Sequence, residues 1–196
     1  MGLFNRNQIK IAICGKSRSG KDTLADAIKE EFKRQGMTVI PLAFADGIKD
    51  IYKQNFRYVK TDCKPREAYI TIGEAFRAVD ENVWVERLKG RVKESYQWDV
   101  VIVTDLRRKN EEDYLKDDGF TTILVDASDD IRIARANALG EHLEASNAGD
   151  DEVDLLTPDI TIHNDNDVRD WSAPAQRIVE QIREVATING YQRTKN

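Results

Sequence analysis

The sequence predicts a single α/β domain built on a parallel β-sheet. Three observations predict it: short apolar runs bounded by turn-forming residues, helical periodicity between those runs, and the run Val-Val-Ile-Val at 100–103. That last run is apolar on both faces, as a buried parallel strand must be. Strands that alternate with helices favour parallel pairing through right-handed crossovers. At 196 residues, the chain is long enough to bury a substantial core in one domain.

Five segments have the character of strands. The first, Ile-Lys-Ile-Ala-Ile-Cys, is a short apolar run that ends at a glycine. The predicted strands are 9–14, 38–44, 100–103, 121–125 and 159–162. Each is followed by residues that favour turns or helices, so the strands can lie side by side in one sheet.

The segments between these strands have helical character. The first of them places Leu24, Ala27, Ile28 and Phe32 on one face. Helices are predicted at 21–34, 45–56, 67–79 and 82–96, with another that begins near 129. Three consecutive helices after the second strand predict a helical insertion at about 45–98. The acidic, glycine-containing stretch between 139 and 158 predicts a mobile surface segment.

Composition restricts the classes of function. With 40% hydrophobic and 33% charged residues, the chain has the make-up of an ordinary globular protein. A net charge of -5 argues against a general nucleic-acid binder. No apolar run approaches the roughly 20 residues of a membrane span, and the first residues lack a signal core, so we expect a cytoplasmic protein that binds no membrane. The two cysteines form neither a metal spacing nor a disulfide framework, and Cys14 is expected to be a small buried residue.

The stretch Gly-Lys-Ser-Arg-Ser-Gly-Lys-Asp-Thr, at 15–23, predicts a phosphate-binding loop. It follows a predicted strand and opens a predicted helix, which is the context that this motif requires. Glycines let main-chain N–H groups turn toward phosphate oxygens, and the helix N-terminus adds partial positive charge. The residues expected to bind the nucleotide here are Gly15, Ser17, Arg18, Ser19, Gly20, Lys21, Asp22 and Thr23. The alternative without a ligand is a tight turn in which the Asp22 carboxylate stabilises the first turn of the helix.

One position of this loop departs from the usual pattern. Asp22 stands where a hydroxyl normally contacts Mg²⁺. A carboxylate oxygen is also a good ligand for this hard cation. We therefore expect either Asp22, through water, or Thr23 to serve the metal.

Four stretches in the same order resemble phage-type deoxynucleoside monophosphate kinases, members of the P-loop kinase superfamily. They are Ser-Gly-Lys-Asp-Thr at 19–23, Phe-Ala-Asp-Gly-Ile-Lys at 44–49, the pair Ile-Gly-Glu-Ala-Phe-Arg and Asn-Val-Trp-Val-Glu-Arg-Leu at 72–77 and 82–88, and Val-Val-Ile-Val-Thr-Asp-Leu-Arg-Arg-Lys-Asn-Glu at 100–111. The loop is also similar to that of animal phosphomevalonate kinases. The resemblance implies a three-layer fold with sheet order 2-3-1-4-5, a monophosphate-binding region at about 45–98 and a lid at about 129–158.

The resemblance also implies an acceptor site. Its residues would be Phe44, Ala45, Asp46, Lys49, Arg66, Gly73, Arg77, Trp84, Asp105 and Arg107. Phe44 and Trp84 could hold a flat base between them, although core packing explains Trp84 equally well. For the basic residues, a solvated helix face is an equal alternative. The chain departs from the family at Gly47, where proline is usual, and at Glu74, where threonine is usual.

Charges at the strand ends would complete the chemistry of such a kinase. Asp105 and Arg107 follow the strongest strand, at the carboxyl edge where ligands of parallel sheets bind. Asp105 is expected to support Mg²⁺ or the acceptor, and Arg107 to clamp the acceptor's phosphate with two hydrogen bonds. The spacing of Arg132 and Arg135 places them on one helical face, where they could close over the transferring phosphate or form surface salt bridges. Asn164 could approach the donor's adenine or belong to a plain turn.

The resulting hypothesis is an ATP- and Mg²⁺-dependent enzyme that phosphorylates a deoxynucleoside 5′-monophosphate, with Lys21, Arg107, Arg132 and Arg135 as catalytic residues. One alternative is a phosphomevalonate-type kinase, whose acceptor site would be mainly basic. Another is a nucleotide-binding regulatory module without a small acceptor, since fold alone does not fix function. The expected partner is the small substrate, not nucleic acid or membrane, and the sequence leaves a homodimer open.

Overall fold

Five parallel strands form one sheet in the order β2-β3-β1-β4-β5 in the computed structural model. The structure describes residues 8–59, 65–141, 143, 150, 152–165 and 170–193, with the main chain alone from 185 onward. The strands are β1 (Ile9–Cys14), β2 (Val39–Leu42), β3 (Val100–Leu106), β4 (Thr121–Asp126) and β5 (Ile160–His163). The predicted fold class and sheet order are thus confirmed.

Seven α-helices and one 3₁₀-helix connect and cover these strands in the described residues. They are α1 (Lys21–Arg34), α2 (Ala45–Asn55), α3 (Arg66–Arg77), α4 (Val83–Glu94), α5 (Lys109–Asp117), α6 (Asp129–Ala138), the 3₁₀-helix (Glu152–Leu155) and α7 (Ser172–Arg193). Helices α2 to α4 fall between β2 and β3, where the sequence predicts an insertion. None of the described helices is long and apolar enough to span a bilayer.

The sheet is covered on both faces, which produces two separate hydrophobic clusters. One cluster packs Leu24, Ile28 and Phe32 of α1 with Val179 of α7 against alternate residues of the strands. The other contains Trp84 and its neighbours from α4 on the opposite face. Because both faces are buried, the strands can be apolar throughout, and this explains why β3 is recognisable in the sequence.

The strand β3 extends three residues further than the sequence predicts. It continues through Thr104, Asp105 and Leu106, so Asp105 lies within the end of the strand instead of after it. The pairing with β1 shifts register between Ala12 and Cys14, and Cys14 then pairs with Leu106. This irregularity lies directly before the predicted phosphate loop, because β1 ends at Cys14. Cys14 itself is fully buried, as expected.

Candidate active site

The loop between β1 and α1 has the backbone conformation of a tight anion-binding turn. Gly15, Arg18 and Gly20 have φ values of 152°, 66° and 104°. Such positive φ values are strained for residues with a side chain, and glycine adopts them readily. A Cβ atom at Gly15 would lie 2.6 Å from both Ser19 Oγ and the Val125 carbonyl oxygen. Two of the three positions therefore require glycine, and they are the two glycines that define the motif.

The loop is held from its outer side by α6 and by the residue that follows β5. Arg135 donates to the carbonyl oxygens of Arg18 (3.2 Å) and Ser19 (3.3 Å), and its other terminal nitrogen donates to Asn164 O at 2.9 Å. The Asn164 amide donates to Ser19 O at 2.7 Å. A Cβ atom at Gly20 would come within 2.5 Å of Asn164 Nδ2. The structure thus places Arg135 and Asn164 on the loop's carbonyl groups; contacts with a transferring phosphate or with adenine stay predictions.

Lys21 is the first residue of α1 and is almost fully buried, with 9% of its surface exposed. Burial lowers the pKa of its ammonium group; nearby Asp22 acts in the opposite direction. The charge of Arg107 also lowers this pKa, and the charges of Asp150 and Asp105 raise it. Lys21 is therefore a buried cation among charged groups from the loop, from β3 and from the chain before the 3₁₀-helix.

Three cationic or N–H donors converge on one oxyanion beside this lysine. The Asp150 carboxylate accepts from the Ser17 main-chain N–H at 3.0 and 3.1 Å, from Arg132 Nη1 at 3.0 Å and from Arg107 Nη1 at 3.3 Å. The Ser17 hydroxyl approaches the same carboxylate at 3.2 Å. Arg132 also donates to Ser17 O and to Asp129. The predicted residues Ser17, Arg107 and Arg132 are thus brought together around a position that suits an oxyanion.

Asp150 is the participant that sequence reasoning missed. It lies in the acidic stretch that the sequence predicts to be a mobile surface segment, yet its exposed fraction is 1%. Eight of the 20 residues of that stretch, 142, 144–149 and 151, lie outside the described residues. Several acidic residues occur between 139 and 158, and no local pattern distinguishes this one.

Asp105 connects the end of β3 to the start of α2. Its two carboxylate oxygens accept hydrogen bonds from the main-chain N–H groups of Phe44 (2.9 Å) and Ala45 (3.0 Å). Burial raises the pKa of this carboxyl group, and the two N–H donors oppose the shift. Both oxygens therefore bind the start of α2, the helix that is expected to contact the acceptor. A role toward Mg²⁺ stays a prediction.

Glu111 fixes the turn that carries Arg107. Its carboxylate accepts from the N–H groups of Arg107 (3.0 Å) and Arg108 (3.1 Å), at the start of α5. Burial raises the pKa of Glu111 to about 7, and the neighbouring Asp105 contributes to the increase. Positioning of Arg107 therefore depends on a carboxyl group that changes charge near neutral pH.

We expect Glu111 to make the protein less stable as the pH rises from about 5 to 8. An acid whose pKa is higher in the folded protein than in the unfolded chain holds more protons when folded, so the free energy of unfolding decreases through that interval. A shift from 4.5 to about 7 corresponds to about 3 kcal/mol. Urea unfolding of the wild type and of Glu111→Gln across this range measures it. The wild type should lose stability relative to the variant, and a constant difference would contradict the assignment.

The other basic residues of the predicted acceptor site lie in ion pairs, with Lys49 and Arg66 at the surface and Arg77 mostly buried. Lys49 contacts Asp46 at 3.1 Å, Arg77 contacts Glu74 at 2.7 Å, and Arg66 contacts Glu141 at 3.4 Å. Exposed pairs of this kind contribute little stability. These side chains are therefore available for exchange onto a phosphate, while their role in binding one stays a prediction.

Phe44 and Trp84 belong to the hydrophobic core. Their exposed fractions are 4% and 1%, and Trp84 Nε1 donates to the Gly73 carbonyl oxygen at 3.2 Å. A Cβ atom at Gly47 would lie 3.1 Å from the Trp84 ring, so this glycine lets α2 approach the indole closely. The structure does not present the two rings as an open pair of faces. Of Gly73, it is the carbonyl group that takes part in the core, as the acceptor of this buried hydrogen bond.

The first turn of α1 offers oxygen atoms to a cation. Asp22 and Thr23 are both exposed there, next to the loop. Within the described part of the chain, no three His, Cys, Asp or Glu side chains come together as a protein-only metal site requires. This arrangement fits Mg²⁺, which commonly takes one or two protein oxygens together with substrate phosphates. Asp22 or Thr23 would supply the protein ligand.

Comparison with known proteins identifies structures of the same fold and assigns the chain to a family. Two solved structures share the fold. The protein APE1195 is 17% identical with a TM-score of 0.52, and the match covers 92% of this chain and 98% of APE1195. A shikimate kinase from Bacteroides thetaiotaomicron is 17% identical with a TM-score of 0.51, and the match covers 89% of this chain and 98% of the shikimate kinase. No curated protein sequence matches the chain. The family model for phosphomevalonate kinase matches residues 13–121, which are 109 of the 196 residues. The chain therefore belongs to the phosphomevalonate kinase family, and its chemistry is kinase-type phosphate transfer.

Proposed function

We propose that the protein transfers the terminal phosphoryl group of ATP to a deoxynucleoside 5′-monophosphate, which becomes the diphosphate. The observation that carries the proposal is the convergence of Ser17 N–H, Arg107 and Arg132 on one oxyanion position beside Lys21. These donors come from the phosphate loop, from the end of β3 and from α6. A group transferred between two phosphate-bearing molecules needs positive charge from both sides.

The residues would act chiefly by positioning and by neutralising charge. Phosphoryl transfer requires little covalent chemistry from a protein, since attacking and leaving oxygens need only be aligned while negative charge is spread. The loop N–H groups and Lys21 hold the donor's phosphates. Arg107, between the two substrates, holds the acceptor's phosphate against the transferring group, and one oxygen of that phosphate bonds to the transferred phosphorus as the bond to ADP breaks. Bound Mg²⁺ supplies further neutralisation of the donor phosphates.

Two observations bear on the acceptor and favour different candidates. The four ordered sequence segments shared with deoxynucleoside monophosphate kinases support a nucleotide. The family match and the burial of Phe44 and Trp84 support a second candidate, a branched alkyl phosphate of the phosphomevalonate type. Such an acceptor needs basic side chains and no aromatic faces. Both candidates share the donor site and the phosphate clamp, so they differ only in the organic group that the acceptor's phosphate carries.

A coupled ADP-release assay distinguishes these acceptors. Each of the four deoxynucleoside monophosphates and phosphomevalonate would be tested with ATP and Mg²⁺, and without an acceptor as background. Turnover with one or more nucleotides is the expected result. Turnover with phosphomevalonate alone would establish the second candidate. ATP binding without turnover on any acceptor would contradict both and favour a regulatory module.

Replacing Arg107 by alanine should raise the KM for the acceptor about 10- to 100-fold, the range expected when hydrogen bonds to a charged group are lost. The effect on kcat should be smaller, because the donor site is retained. Steady-state kinetics with varied acceptor measures both constants. Lys109→Ala is a matched control, since Lys109 is half-exposed and pairs only with Glu112 and Asp113 among the described residues. A fall in kcat with unchanged KM would instead show that Arg107 acts on the transferring group alone and not on the acceptor's phosphate.

A further inference from the structure

We propose that Asp150 sets the relative affinity for ATP and ADP by occupying, in the nucleotide-free protein, the place of the donor's terminal phosphate. The inference rests on the proposed function. It states that ATP must displace this carboxylate, whereas ADP binds the loop and leaves it in place. Asp150 would therefore weaken ATP binding selectively and reduce the preference of the loop for ATP over ADP.

The contacts of Asp150 are those that a phosphate oxygen would make. Its carboxylate accepts from a main-chain N–H of the phosphate loop, from the Ser17 hydroxyl and from two guanidinium groups. Carboxylates and phosphates are recognised by the same donors, namely arginine side chains and clustered main-chain N–H groups. The carboxylate thus stands in for an oxyanion of the substrate.

The position of this carboxylate identifies which phosphate it replaces. Ser17 belongs to the donor loop after β1, whereas Arg107 follows β3 on the side of α2, the helix that Asp105 fixes. Arg132 comes from α6, which follows β4. Since β3 and β4 are the two neighbours of β1 in the sheet, an anion that touches all three donors lies between the donor loop and the acceptor side. That is the place of the group being transferred, which ATP has and ADP lacks.

The chain after Asp150 keeps the carboxylate near this position. Val153 and Leu156 are buried in the hydrophobic cluster that contains Trp84. Two ion pairs secure the 3₁₀-helix: Lys16 with Asp154 at 2.7 Å, and Arg108 with Glu152 at 3.1 Å. Asp150 is therefore tethered to a packed element. Its local concentration at the oxyanion position is high, and it competes with a ligand without having to be captured from solution.

Because the site is buried, it can hold either the Asp150 carboxylate or the terminal phosphate, and not both. Asp150 and Arg132 are 1% and 0% exposed, so the position has no room for a second oxyanion beside the first. Two like charges a few ångströms apart in a buried site repel strongly. The terminal phosphate and the carboxylate therefore exclude each other, and the surrounding cations satisfy whichever is present.

Isothermal titration calorimetry with ATP and with ADP, both with Mg²⁺ and no acceptor, tests the proposal on the full chain. In Asp150→Asn the neutral amide competes less well, so ATP should bind about tenfold more tightly, as expected for the loss of hydrogen bonds to a charged group. ADP affinity should change by less than about twofold, because ADP does not reach this position. Asp26→Asn is the matched control: it removes the same charge from an exposed residue of α1 that pairs with Lys29, and both nucleotides should respond to it equally.

Weaker ATP binding by Asp150→Asn, or an equal gain for ATP and ADP, would overturn the proposal. If Asp150→Asn shows no cooperative thermal unfolding, Asp150→Ser replaces it, with the same expected difference between nucleotides. Absence of binding of either nucleotide to the wild type would contradict the proposed function itself, and this inference with it. Normal nucleotide binding with an unchanged ratio in both variants would contradict the inference alone.

Discussion

Replacing Lys21 by alanine should lower kcat at least about a hundredfold, which is the loss expected when a preorganised charge that stabilises the transition state is removed. Lys21 is the buried cation at the start of α1, beside the oxyanion position formed by Ser17, Arg107 and Arg132. Its effect is large because a charge acts more strongly where water is excluded. Coupled ADP-release kinetics at saturating ATP and acceptor measures the loss.

The variant should stay folded, because burial makes the charged form of Lys21 unfavourable in the native protein. Urea unfolding should show an equal or higher midpoint than in the wild type. Lys29→Ala is the matched control, since Lys29 lies on the same helix and pairs with Asp26 on its surface. The site assignment is wrong if Lys21→Ala retains nearly full turnover.

Replacing Trp84 by alanine should reduce the free energy of unfolding by about 3 to 5 kcal/mol, which is the range for deleting a large buried aromatic side chain. The indole is 1% exposed, packs beside Phe76 and Gly47, and donates its N–H to Gly73 O. Its loss leaves a cavity where α2, α3 and α4 meet, together with an unpaired carbonyl group. Equilibrium unfolding in urea measures the change.

The conservative variant Trp84→Phe separates packing from acceptor recognition. It keeps most of the apolar volume, so it should lose less stability and keep the acceptor KM of the wild type. Tyr96→Ala, at a ring that is 72% exposed, should have little effect on either quantity. A raised acceptor KM in Trp84→Phe with near-normal stability would show that the indole contacts the acceptor, which is the other role that its place in the sequence permits.

The sequence was sufficient for the fold and for the loop because both rest on local or periodic signals. The apolar runs of β1 and β3 and the spacing of Gly15, Gly20 and Lys21 are visible without any tertiary information. Arg107 could be proposed because parallel strands bring their carboxyl ends to one edge, and Arg132 because it shares a helical face with Arg135. Their common contact with Asp150 could not, because it joins residues 43 and 18 positions apart through a segment with no periodicity.

Two further features lay beyond sequence reasoning for similar reasons. Whether Phe44 and Trp84 face a ligand or the core depends on how closely helices approach, and Gly47 permits an approach that the pattern does not encode. The attachment of Arg135 to the loop carbonyls was hidden because the i, i+3 spacing with Arg132 fits both a surface ion-pair face and a site. Spacing specifies the face of a helix, and only the packed molecule specifies what that face contacts.

The hold of Arg135 and Asn164 on the loop carbonyls has a consequence for the rate of nucleotide capture. Fixing the main chain of one residue costs about 1 to 2 kcal/mol of conformational entropy. In this protein the loop loses that entropy during folding, because protein contacts fix the main chain of residues 15–20 before a ligand binds. The encounter with nucleotide should therefore need no reordering of the turn itself, so the main chain of the loop should add little to the barrier for association.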